Sequence, residues 1–331
     1  MTRGAIAAKL LQMRRPAPAT TAQPASPDQT VRRRYVLQGQ SVIAPPIDAG
    51  LHLVATPIGN LRDITVRALE VLAAAGLVAC EDTRVTGRLL DHYGIATPMM
   101  PYHDHNAAEA RPKLLARLAA GDAVALVSDA GTPLISDPGF KLVREAQAAG
   151  CAVTAIPGAS AVLAALAVGG LPTDRFFFEG FLPVKEGQRR ARIAELSRIP
   201  ATLVLFETGP RIADTLADLS EGLGPREAAV CRELTKLHEE VRRGDLPSLA
   251  RDYAQGAEAR GEIVIVIAPP GEEKAVGTAE LDALLRDALG RVSVKEAVAE
   301  IAAVTGQPRR EVYQRALALA KDRGKVNVDD Q

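Results

Sequence analysis

The strongest constraint on the fold is a series of short apolar segments, each ending in a loop of small, polar and turn-forming residues. "LHLVA" runs into "TPIGN", "LVAC" into "EDTR", "AVALV" into "SDAGTP", and "CAVTAI" into "PGAS". Between them lie amphipathic stretches such as "EARPKLLARLAAG", which Gly121 ends well, and "FKLVREAQAAG". Asp63 is placed to cap a helix whose apolar positions are Val66, Leu69 and Leu72. Continuous apolar strands joined by helices predict a parallel sheet covered on both faces. Ligands of such sheets gather beyond the carboxyl ends of the strands, which is where these loops fall.

The pattern extends over a domain at 51–170. "GLPTD" then marks a boundary, and "RFFFEGF", "ATLVLFE", "EAAVC" and "GEIVIVIAPP" predict a second α/β domain at 171–270 with a more mixed sheet. After the linker "PPGEEKAVG", residues 278–325 read as a small helical module of helix-turn-helix flavour. Leu281, Leu284, Leu285, Ala288 and Leu289 share one face of its first helix. Ser293 and Glu296 open the next with a capping box. Residues 1–50 are rich in Pro, Ala, Thr, Ser and Arg, with too few large apolar residues for a core, and are expected to form a disordered basic extension.

With 47% hydrophobic and 24% charged residues, this is the composition of an ordinary soluble globular protein. No apolar run approaches the roughly 18 residues of a membrane helix, and no membrane partner is expected. Cys80, Cys151 and Cys231 are too scattered for a zinc motif and read as reduced thiols of a cytoplasmic protein. The 40 basic and 40 acidic residues balance, but not evenly along the chain. Residues 1–50 hold seven basic against two acidic, and 290–331 eight against six. A uniformly basic nucleic-acid coat is excluded, so any polyanion site is local. The absence of GxGxxG and of GxxxxGK[ST] counts against dinucleotide enzymes and P-loop NTPases.

Two Ser-Asp pairs separate by context. Asp137 precedes Pro138, favoured at a first helical position, and is expected to be an N-cap. Asp129 lies directly at a strand's carboxyl end and is expected to bind ligand. His103 and His105, two apart with no third ligand in view, fit a polar loop lining a cleft better than a metal site. Lys236 either orients a substrate or pairs with Glu239 and Glu240.

"LVATPIGNLRDIT", "ACEDTR", "YHDHN", "SDAGTPLISDPG", "IPGASA", "FFFEGFLP", "LFETGPR", "CRELTKLHEE" and "GEIVIVI" occur in this order. Together they resemble the tetrapyrrole-methylase-like superfamily, in its branch that methylates small-subunit ribosomal RNA, from about Leu51 to Lys325. The resemblance implies two αβα domains with S-adenosylmethionine in a cleft between them, and a homodimer. It further implies methyl transfer to the ribose 2′-hydroxyl of a decoding-centre cytidine in 16S rRNA of the small ribosomal subunit. By matching position it assigns cofactor contacts to Thr56, Pro57 and Ile58, to Asp129, Ala130, Gly131 and Thr132, and to Ser160 and Ala161. Contacts from the second domain fall around Phe206-Glu207 and Leu234-Thr235.

A ribose hydroxyl is a poor nucleophile until it loses its proton, so a nearby base helps. Glu81, Asp82 and His105 are the candidates, and the residues do not distinguish among them. Arg84 either holds a phosphate or pairs with Asp82 in a clasp. Phosphate contacts are expected from Arg189, Arg190 and Arg192, with Lys185 and Arg198, and from Arg309 and Arg310, with Arg291, Lys295 and Arg315. With aromatics at 3%, a base-stacking platform is not expected. Two other readings stay open: a small-molecule methylase acting on a tetrapyrrole-like ring, and a non-catalytic RNA-binding assembly protein on the same fold.

Overall fold

The computed structural model describes residues 33–256, 261–271, 278–305 and 307–326. The chain divides into two compact units between Ser160 and Ala161, one helix earlier than the boundary expected at 170.

The first unit opens with a hairpin, β1 (Arg34–Leu37) and β2 (Gln40–Ile43), paired antiparallel. Gln38 and Gly39 both have positive φ, at 51° and 79°, as a two-residue turn of this hand requires. Tyr35 and Ala44, each only 2% exposed, join the unit's core, and the Val36 N–H donates to the Tyr93 carbonyl at 2.6 Å. This corrects the expectation of a disordered extension through residue 50. A few apolar residues, Tyr35 above all, fasten the last part of the segment, although its average composition is core-poor. Residues 1–32 lie outside the described residues.

The main sheet of the unit consists of β3 (Gly50–Val54), β4 (Leu77–Cys80), β5 (Met99–Pro101), β6 (Ala123–Leu126) and β7 (Val153–Ile156). All are parallel, in the order β5-β4-β6-β3-β7. Alternate strand residues face opposite sides. Val54, Val78, Cys80, Ala125 and Val127 pack with α1 (Val66–Ala74) and α2 (Thr83–His92). Leu51, Leu77, Ala79, Val124 and Leu126 pack with α3 (Ala107–Ala119) and α4 (Phe140–Ala148). The cap of α1 is Thr65, whose Oγ1 accepts the Ala68 N–H at 3.1 Å, and not Asp63. Asp63 instead ends a 3₁₀ turn, Leu61–Asp63, which Asn60 caps. Gly121, at φ 88°, terminates α3 as expected.

The second unit begins with α5 (Ala161–Gly169) and continues through β8 (Phe176–Phe181), α6 (Glu186–Leu196), β9 (Thr202–Thr208), α7 (Ile212–Leu223) and β10 (Glu227–Arg232). β11 (Glu240–Asp245), α8 (Leu246–Ala254) and β12 (Glu262–Ile267) complete the sheet, whose order is β11-β10-β12-β9-β8. Only β8 and β9 are parallel, so the sheet is mixed, as the sequence predicts. α6, α7 and α8 cover one face. α5 covers the other, with Gly169 close to Val266 and Ala229.

Three further helices, α9 (Thr278–Arg291), α10 (Val294–Thr305) and α11 (Arg309–Val326), share a core of their own around Leu285, Ala297, Ile301, Val312 and Ala316. The capping box at the start of α10 is present. Glu296 accepts the Ser293 N–H at 3.1 Å, and the Glu296 N–H donates to Ser293 Oγ at 3.4 Å.

If the hairpin is part of the first unit's core, Tyr35→Ala should destabilise by roughly 2–4 kcal/mol. Ile43→Ala, at a side chain 54% exposed on the same hairpin, should change stability by about 0.5 kcal/mol or less. Thermal unfolding of the two purified variants checks this, with a drop of several degrees expected only for Tyr35→Ala.

Candidate active site

Because the first sheet is parallel, the loops after β3, β4, β5, β6 and β7 all leave from its carboxyl edge. Three of them converge on a pocket of about 450 Å³. Glu81, Asp82, Thr83 and Arg84 line it from the end of β4, Pro101, His103 and His105 from the end of β5, and Asp129 from the end of β6. All three candidate bases and Arg84 therefore share one wall, and the "YHDHN" loop lines the cleft as expected.

Hydrogen bonds tie these loops together. The backbone N–H of Asp82 donates to Asp129 Oδ1 at 3.0 Å, joining the ends of β4 and β6. Thr56 and Gly131 exchange both backbone hydrogen bonds, at 2.9 and 3.1 Å, joining the ends of β3 and β6. Thr56 Oγ1 also donates to the Ser128 carbonyl, and Thr132 Oγ1 donates to the carbonyl of Ala159 beyond β7. Gly131 has φ 80° and lies against Ile58, where a Cβ would sit 3.4 Å from Ile58 Cγ2. The loops assigned to cofactor contact thus form one connected surface of backbone groups.

The carboxylates are not equivalent. Asp82 is the N-cap of α2: its Oδ1 accepts the Arg84 N–H at 2.8 Å, and the Arg84 guanidinium grips both oxygens, the shortest contact being 2.6 Å. These hydrogen bonds hold its pKa down at about 2. The clasp reading of "EDTR" is the arrangement present. Glu81 is shifted the other way, first by burial and then by the charges of Asp129, Asp137, Asp104 and Asp82. Burial also raises Asp129, against the opposing hydrogen bond from Asp82.

Asp137 does not cap α4. That helix starts at Phe140 behind Gly139, whose φ of 135° no helical residue adopts, so the Pro-Gly pair delays the start past Asp137. The Asp137 carboxylate instead takes a hydrogen bond from the Ser128 side chain, and burial raises its pKa. Sequence reasoning missed this role, and the glycine after Pro138 was the signal for it. The intervening loop holds Leu134 and Ser136 at positive φ, 76° and 65°. Positive φ in residues with side chains costs roughly 1–3 kcal/mol each.

In the second unit, Phe206 packs edge-on against Phe178 and Phe181, with ring centroids 4.9 and 5.6 Å away. Glu207 is buried and engaged by the Thr208 N–H, the Thr215 hydroxyl and Arg211. Its carboxylate belongs to the unit's own hydrogen-bonding. Leu234 is buried in a turn that places Glu233 and Thr235 at positive φ, 51° and 67°. Thr235 Oγ1 is buried with no hydrogen-bond partner among the described residues. Lys236 pairs with Glu233 and Glu262, at 2.8 and 3.0 Å, and not with Glu239 and Glu240.

The basic run on α6 is a correction. Arg189, 7% exposed, is buried against Asp218 at 2.6 Å and donates to the Val184 carbonyl. Arg190 pairs with Asp218, Glu186 and Glu221, and Arg192 pairs with Glu179 and Glu195. These arginines are held by carboxylates of the same unit, so the run is not a free phosphate-binding face. In the helical module, Arg291 pairs with Asp287 and Glu300, and Arg315 with Asp282. Arg309 and Arg310 are exposed in the first turn of α11.

A model of the Tetrapyrrole (Corrin/Porphyrin) Methylases matches residues 50–250, and one of the RsmI C-terminal HTH domain matches residues 275–320. A protein of Mesorhizobium japonicum named Ribosomal RNA small subunit methyltransferase I is 52% identical over 288 residues, spanning 86% of this chain and 98% of the relative. The chain belongs to that family. A relative of the same name from Erythrobacter litoralis is 50% identical, over 83% of this chain and 97% of its own. Among solved structures, a diphthine synthase superposes with a TM-score of 0.54 at 19% identity, over 66% of this chain and 89% of its own, which speaks for the fold alone.

Arg189→Ala should lower stability by roughly 2–3 kcal/mol, because it strips a partner from a buried carboxylate that Arg190 then holds alone. Arg309→Ala, at an exposed position, should leave stability within about 0.5 kcal/mol. Urea unfolding of the two variants separates the two kinds of arginine.

Proposed function

We propose that the protein transfers the methyl group of S-adenosylmethionine to the ribose 2′-hydroxyl of a decoding-centre cytidine in 16S rRNA, acting in the cytoplasm on the small ribosomal subunit. The observation that carries this reading is relatedness that runs on past the two α/β units through the C-terminal helical module. A methylase of small tetrapyrrole-like molecules has no evident use for that module. A purely RNA-binding protein has none for a carboxylate- and imidazole-lined pocket held by interlocked loops.

The residues present suit the methyl donor. Thr56, Ile58, Asp129, Gly131 and Thr132 lie together at the sheet edge, with Gly131, at φ 80°, paired to Thr56 and packed against Ile58. When bound, the cofactor supplies an electrophilic methyl on a sulfonium, and the surrounding carboxylates favour that positive charge. Positioning carries most of the rate, since the displacement is in line and positive charge disperses as it proceeds. Of the chain's own residues, those lining the pocket receive the hydroxyl proton. The exposed Arg309 and Arg310 suit phosphate contact, which positions the RNA without reading its sequence.

Purified protein incubated with labelled S-adenosylmethionine and unmodified small ribosomal subunits should place label on a cytidine ribose, as nucleoside analysis would reveal. Label on the base, or on a free tetrapyrrole in place of RNA, would overturn the reading. Arg309→Ala combined with Arg310→Ala should weaken subunit binding and flatten its dependence on salt, while leaving cofactor affinity unchanged.

A further inference from the structure

We propose that Glu81 is the catalytic base that takes the proton from the attacking hydroxyl, and that Asp129 is its positioning residue. This rests on the ribose-methylation reading above.

Three side chains on the pocket wall are able to accept a proton, and the geometry separates them. Asp82 has both oxygens committed to Arg84, by contacts of 2.8, 3.0, 3.1 and 2.6 Å. A carboxylate so engaged is a weak base, and protonating it would break the cap of α2. His105 lies on the loop after β5 and is exposed, so solvent competes for its nitrogens. Glu81 is partly buried and sits at the end of β4, immediately before Asp82 in the chain. The Asp82 N–H is the group that Asp129 Oδ1 holds at 3.0 Å, so the peptide joining Glu81 to Asp82 is fixed to the end of β6. Asp129 thereby acts on Glu81 through the backbone, and it places a second negative charge nearby.

The surroundings of Glu81 support the assignment. From the β4 loop it faces Asp82 and Arg84, from the β6 loop Asp129 and Asp137, and from the β5 loop Asp104 and the two imidazoles. Arg84 is already paired with Asp82, so the net field on Glu81 is that of carboxylates, which increases its affinity for a proton. His103 Nδ1 is buried without a partner among the described residues. In the step itself, the hydroxyl oxygen forms its bond to the methyl carbon as the carbon–sulfur bond breaks, with its electron pair going to sulfur. The hydroxyl proton passes to the Glu81 carboxylate and is given up to water before the next turnover.

The test is the pH dependence of single-turnover methylation of small ribosomal subunits, with cofactor affinity measured separately by calorimetry. A base acts only when deprotonated, so the wild-type rate should rise with pH through the Glu81 pKa. That limb should lie above the ordinary glutamate range, because burial and neighbouring carboxylates raise the group. Glu81→Gln should cut the rate by roughly 10²- to 10⁴-fold and abolish the acid limb, with thermal stability and cofactor affinity unchanged. Asp129→Asn keeps an acceptor for the Asp82 N–H but removes the charge, so it should move the limb to lower pH. A purely structural role for Asp129 would not shift it. His105→Gln should retain the limb. A Glu81→Gln enzyme that keeps the wild-type acid limb overturns the assignment while leaving ribose methylation standing, and so does loss of the limb in His105→Gln. Absence of ribose label with the wild-type enzyme overturns both.

Discussion

Parallel pairing of the first sheet is the constraint from which the site follows. Strands that run the same way deliver every following loop to one edge, and helices must return the chain across both faces. Those helices bury the apolar residues of each strand on both sides, as Leu51 and Val54 of β3 or Leu126 and Val127 at the end of β6 illustrate. The edge is then the one part of the layer free to be polar. Glu81, Asp82, Asp129 and Asp137 meet there not through local sequence but because β4 and β6 are neighbours in the order β5-β4-β6-β3-β7.

Carboxylates gathered at one edge repel each other, and the structure handles that in two ways. Asp82 is neutralised locally by the α2 N-terminus and Arg84, both of which favour a negative charge at that position. Among the described residues Glu81, Asp129 and Asp137 are not paired with a cation in this way, and burial adds to their proton affinity. The second unit resolves the same problem in the opposite sense. Asp218, Glu179 and Glu207 are met by Arg189, Arg192 and Arg211, so these carboxylates are tied into the packing of α6 and α7.

The sheets were legible in the sequence because apolar runs bounded by turn residues are a local signal, and the pocket loops were legible because those runs end in them. What failed was non-local or depended on single residues. The hairpin at 34–43 was averaged away by fifty core-poor residues, although Tyr35 alone supplies much of its anchorage. Arg189 looked like part of a basic face because its partner, Asp218, is 29 residues away on another helix. Asp137 and Asp63 were both read as caps, but Gly139 postpones one helix and Thr65 outcompetes Asp63 for the other. Composition and short-range spacing cannot anticipate which of several oxygens the first free N–H of a helix will meet.

Adjacent residues with the same functional group therefore do different work. Asp82 caps α2 and is gripped by Arg84, while Glu81 beside it in the same pocket makes neither contact among the described residues. The hydrogen bonds that make Asp82 structurally useful remove it as a base. The raised proton affinity of Glu81 comes first from burial and then from the carboxylates around it. The clasp with Arg84 and the bond to Asp129 hold the backbone beside Glu81 without placing a cation on its carboxylate. The arrangement depends on the buried faces of the same strands to hold it together.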